Sequence, residues 1–139
     1  DTNISELKSL LKIIIVFFGI YYFFVGMKKL PDPLWRQGAA LQFILDWNGV
    51  ARDNFLTQFI SGTPWLARIM SYGTLVFEMS FIFLVFTPLR PLCIVAGLML
   101  HCGILLTMDV GTLSLALMVW YALLFDERTR RQCSNILRK

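Results

Sequence analysis

Charge is scarce in this sequence, and what there is avoids the long apolar runs. Only 16% of the residues are Asp, Glu, Lys or Arg, against 57% hydrophobic. A soluble domain carries about 25% charged residues, so the composition excludes an ordinary water-soluble fold. Histidine occurs once, which leaves no second imidazole for a b-type haem. The three cysteines, Cys93, Cys102 and Cys133, form neither a CxxC pair nor a disulfide framework. No metal site is expected, because His101 and Cys102 are neighbours and adjacent helical residues point about 100° apart. No basic stripe interleaved with exposed aromatics appears, which argues against a nucleic-acid partner. No signal peptide is visible in this stretch: the first apolar run is too long and no small-residue cleavage site follows it. Internal repeats, low-complexity segments and the inverted halves of transporters are also missing. The formal charge of +4 therefore reads as attraction to anionic lipid headgroups.

What is present is a set of apolar runs separated by short polar punctuation. The expected fold is an all-α membrane protein with four transmembrane helices and one or two interfacial helices between the first and the second. The spans are placed at residues 10–27, 64–86, 91–108 and 112–125 of a single domain. Residues 1–8 can open the first helix, with Ser5 as a weak cap. Between the first two spans, residues 28–63 are too polar to cross. Leu41, Ile44, Leu45, Phe55, Leu56, Phe59 and Ile60 recur there at helical spacing, so residues 35–60 are expected to lie in the interface, broken at Asn48-Gly49. Pro64 suits the first turn of the second span, and Thr87-Pro88-Leu89-Arg90-Pro91 is a tight turn. The fourth span is short, and Trp120 and Tyr121 must help it reach the interface. Residues 126–139 form a polar tail. The chain begins with Asp1, so the expectation is that something upstream was removed or that this is part of a longer protein.

Lys and Arg near the span ends set the orientation. One side holds Lys8, Lys12, Arg90, Arg128, Arg130, Arg131, Arg138 and Lys139. The other holds Lys28, Lys29, Arg36 and Arg52, with Arg68 nearby. Both termini are accordingly expected in the cytoplasm.

Ionisable groups inside a bilayer are costly, and each needs a partner or a purpose. Glu78 lies about 13 Å and His101 about 16 Å from the same membrane face, at 1.5 Å per helical residue. On antiparallel helices they share a depth. They are candidates for a proton-handling pair, a contact to a cofactor headgroup, or a structural hydrogen bond between helices. Arg68 is expected to snorkel to the outer surface, the alternative being a meeting with Asp53, Asp46 or a lipid phosphate. Lys28 and Lys29 end the first span, where lysines snorkel and Trp35 suits the headgroup layer. Turned inward, either lysine would instead become a base.

Phe24-Val25-Gly26-Met27-Lys28-Lys29-Leu30, followed by Trp35-x-x-Gly38, resembles the membrane part of the vitamin K-dependent gamma-carboxylase and its relatives. These share the horizontally transferred transmembrane (HTTM) domain. Phe77-Glu78, Thr87-Pro88-Leu89-Arg90, Leu100-His101-Cys102-Gly103 and Gly111-Thr112-Leu113-Ser114 extend the resemblance over nearly the whole chain, as the latter half of a family domain. A looser likeness, aromatic-x-x-Gly-x-x-Lys with a later Glu, leads to the DoxX-like four-helix family. The first resemblance implies Lys29 as the base, with Lys28 beside it and His101 in the membrane core. Glu78, His101 and Trp35 would line a cofactor site, the cofactor being a quinone. It also implies a peptide-holding extramembrane domain that 139 residues leave no room for. Two functions follow as expectations. One is an accessory or structural subunit of a larger membrane assembly, partnered by the bilayer and other membrane proteins. The alternative is a quinone- or lipid-binding membrane enzyme.

Overall fold

The computed structural model describes residues 2–110 and 112–124, all of its regular elements being helices. The first, α1 (Thr2–Lys29), runs unbroken through Ser5, which therefore lies inside the helix and is not its cap. Nothing in the Glu6-Leu7-Lys8 stretch opposes helix formation, so the helix extends beyond the N-terminal end of the apolar run. Three short helices follow: α2 (Pro33–Arg36), α3 (Ala40–Asp46) and α4 (Phe55–Ser61). Two long ones come next, α5 (Pro64–Leu84) and α6 (Arg90–Thr107), then the shorter α7 (Thr112–Leu123).

Three helical segments among the described residues are long and apolar enough to cross a membrane: Ser9–Lys29, Pro64–Leu84 and Arg90–Thr107. The protein is an integral membrane protein. The 12 residues of α7 do not reach that length, since at 1.5 Å per residue they cover about 18 Å of a hydrocarbon core about 30 Å thick. The tail expected at residues 126–139 lies outside the described residues.

Helices α1 and α5 pack antiparallel along a seam. On α1 the inward residues are Ile15, Gly19, Tyr22, Gly26 and Lys29, spaced alternately by four and three, the period that keeps one face towards a neighbour. The two glycines let the backbones approach. A Cβ at Gly19 would come within 2.8 Å of Ile82, and one at Gly26 within 2.8 Å of Met79. Behind this seam Ile15, Tyr22, Phe81, Val85, Cys93, Ile94, Tyr121 and Leu124 form one core, drawn from α1, α5, α6 and the end of α7. Buried Arg90, in the first turn of α6, donates from Nη2 to the Leu124 carbonyl at 2.9 Å. It ties the start of one helix to the end of another.

A second core of Leu45, Ile60, Ala67 and Met108 sits at the opposite end. It joins α3 and α4 to the start of α5 and the end of α6, and its polar frame solves a problem at the end of α6. A helix leaves its last carbonyls without internal partners. Here residues 50–57 supply them. The Arg52 amide donates to Thr107 O at 2.9 Å. Arg52 Nε donates to Met108 O at 3.1 Å, Asn54 Nδ2 to Leu106 O at 2.8 Å, and Thr57 Oγ1 to Thr107 O at 3.3 Å. Asn54 also caps α4, accepting from the Thr57 amide at 3.0 Å. The start of α3 is treated likewise, because Ser71 Oγ on α5 accepts from the Leu41 amide at 3.0 Å.

The apolar residues expected on one face of the connecting helices divide between two faces. Leu45 and Ile60 are buried, with Leu41 and Ile44 packed against them. Phe55 and Phe59 stack on each other at 6.1 Å and face outward with Phe43 and Trp47.

Candidate functional site

The site begins at the end of α1. The Leu30-Pro31 turn follows the two lysines, and Asp32 caps α2 by accepting from the Leu34 amide at 2.8 Å. Pro33 occupies the first turn of α2. This turns Trp35 back over the helix just left, and its ring lies 4.3 Å from Lys29 Nζ. Gly38, at φ 69°, makes the next turn in a left-handed conformation that L side chains avoid. A side chain there would also strike Arg68 and Tyr72. Arg68 is exposed, with its side chain beside this turn.

Lys29 and Lys28 part company. Lys28 is exposed. Lys29 turns inward and donates to Glu78 Oε1 at 2.6 Å, joining α1 to α5. Its side chain is 22% exposed and that of Glu78 only 8%. Glu78 Oε2 is buried and has no hydrogen-bond partner among the described residues.

His101 does not meet Glu78, contrary to the equal-depth reading. Counting along a helix gives depth, not the direction a side chain faces. Its partner is Tyr22, whose hydroxyl lies 2.6 Å from His101 Nε2. Tyr121 donates in turn to the Tyr22 hydroxyl at 3.0 Å. Three helices, α1, α6 and α7, thus contribute one residue each to a buried polar chain. The room for it comes from Gly97, where a Cβ would collide with the ring and hydroxyl of Tyr121. The chain is walled by Phe77 and Phe81, whose ring centres lie 5.8 and 4.9 Å from that of Tyr22. A cavity of about 20 Å³ borders Tyr22 and Tyr121 on the α1–α7 side, lined otherwise by apolar side chains such as Ile15, Phe18 and Leu124. That is room for about one water molecule.

Neither tyrosine is expected in a site from the sequence: Tyr22 stands in the aromatic run Tyr21-Tyr22-Phe23-Phe24, and Tyr121 is expected beside Trp120 at the interface. The available signal was that a tyrosine deep in an apolar run needs a partner for its hydroxyl. Among the described residues no group of three or more His, Cys, Asp or Glu side chains is arranged to hold a metal ion.

A family model described as HTTM domain matches residues 8–129. The chain belongs to the HTTM domain family. The match takes in Lys29, Trp35, Glu78 and His101 together, and the DoxX-like alternative finds no such support. No curated protein and no solved structure matches this HTTM chain.

Proposed function

We propose that this HTTM chain is a structural module of a larger membrane assembly, a bundle whose interior ionisable groups serve to join its helices. The observation that carries this reading is the 2.6 Å Lys29–Glu78 pair, in which the inward lysine is held by a carboxylate on the neighbouring span. Trp35 covers the lysine from the other side. Large side chains left outward on the spans, among them Phe17, Phe24, Val76, Phe83, Leu92 and Met99, offer faces for lipid and for other membrane helices. In this reading α7 completes the crossing as a fourth, short span, and Phe43, Trp47, Phe55 and Phe59 lie in the interfacial layer. Both termini are cytoplasmic. The test is purification from native membranes in mild detergent. Co-migration with other membrane proteins is expected; a chain that runs alone with a quinone bound overturns the proposal.

A second reading, a quinone- or lipid-binding enzyme with Lys29 as base, is favoured by one observation. Glu78 Oε2 and His101 Nδ1 are buried polar atoms with no partner among the described residues, the kind of opening a ligand would fill. Glu78 would accept the proton that Lys29 must lose before it can act as a base. Replacing Lys29 by Ala in the complete protein and measuring quinol oxidation decides it, since unchanged turnover ends this reading.

A further inference from the structure

The Tyr121, Tyr22 and His101 side chains form one hydrogen-bonded series, and its geometry bears on where the hydrogens sit. Tyr121 donates to the Tyr22 hydroxyl. A tyrosine hydroxyl has one hydrogen, and that of Tyr22 then goes to His101 Nε2, 2.6 Å away. In that direction Nε2 accepts, and a neutral ring then carries its hydrogen on Nδ1. Nδ1 is buried in a residue only 5% exposed and has no partner among the described residues. A buried donor without an acceptor is costly, and native interiors rarely leave one so.

We propose that Tyr121 and Tyr22 are positioning residues that hold His101 in the Nδ1–H form, and that this hydrogen binds an uncharged oxygen acceptor inside the bundle. Neutrality follows from the setting, since a charged ligand would lose its hydration among Phe77, Phe81 and the neighbouring apolar side chains. The acceptor is a water oxygen or the carbonyl oxygen of a small membrane-dissolved molecule. Gly97 belongs to the arrangement, because the space it leaves admits the Tyr121 hydroxyl that starts the sequence of donors. This inference stands apart from the choice between structural module and enzyme, since a bound water suits the first and a bound carbonyl the second.

The single histidine of the sequence makes the test clean. The full chain labelled with [15N]histidine in lipid nanodiscs gives the two ring nitrogens of His101 alone. The expected spectrum has a protonated Nδ1 and a bare Nε2. In Tyr22→Phe the preference is lost and both signals move towards exchange averages. Tyr121→Phe, a milder change, moves them in the same direction by a smaller amount. A parent ring protonated at Nε2, or doubly protonated, overturns the proposal, and so does a ring unmoved by both substitutions. If Tyr22→Phe fails to fold, the parent spectrum and Tyr121→Phe still decide. The ligand is read from the same sample. A cross-peak from Nδ1–H to water identifies water. Displacement of the Nδ1–H signal by cyclohexanone, but not by cyclohexane, identifies a carbonyl site. If Nδ1–H sees no water and ignores the ketone, the binding half of the proposal is wrong.

Discussion

Lys29 and Glu78 are each other's substitute for water. Removing one strands the other, and breaking a buried ion pair in this way costs about 3–5 kcal/mol. Lys29→Met is therefore expected to lower stability by about that amount, and adding Glu78→Leu to recover most of it, since an apolar pair of similar volume is neutral or better. Reversible unfolding in mixed micelles measures both. An additive double variant would show that the two side chains do not depend on one another. Gly97→Ala, by pressing on Tyr121, is expected to cost about 1–3 kcal/mol, read as a lower midpoint in the same assay. At this scale the sequence yielded names but not partners. Lys29, Glu78 and His101 stand out as ionisable groups in or beside apolar runs. Which of them meet depends on helix rotation, and rotation here is set by Gly19 and Gly26, whose effect is felt only once Ile82 and Met79 are placed against them.

The end of α6 depends on the segment before α4. Asn54 serves two helices at once, capping α4 and donating to the last turn of α6. Asn54→Ala is expected to cost about 1–2 kcal/mol, the range for a lost cap. Faster hydrogen exchange should follow at the Arg52 and Asp109 amides, which bond to Thr107 O and Val50 O across the same junction. Unchanged exchange there would mean the junction stands without Asn54. Between α1 and α5, Gly26→Leu is expected to drive Met79 away and to weaken the Lys29–Glu78 contact. Disulfide trapping between cysteines placed on the two helices would report it as slower cross-linking. Most of the helices could be read from the apolar runs, Pro64 and the Thr87–Pro91 turn. The clasp on α6 could not, because its polar residues lie in a stretch read as interfacial helix and its acceptors are main-chain carbonyls, which no side-chain pattern encodes.

For the molecule as a whole, the bundle places the end of α1, the start of α5 and the end of α6 at one end, and the turn before Arg90 at the other. The proposed orientation puts the first of these outside the cell. A cysteine at Asn48 should accordingly react with a membrane-impermeant maleimide in intact cells, and one at Thr87 only after permeabilisation; the reverse result would invert the orientation. The membrane class was legible from composition alone, because lipid demands what water forbids, namely outward Phe17, Val76 and Met99. The second core was not, since it joins Leu45 and Ile60, from short helices whose apolar side chains face both ways, to Ala67 on α5 and Met108 at the end of α6. That second core also has a consequence for how the protein is made. Arg52 and the Met108 carbonyl it serves stand 56 positions apart in the chain. The ribosome delivers the donors first, and they must wait at the membrane surface until α6 has been inserted. A nascent chain released before Met108 emerges would hold its early helices in place with their latch unfastened.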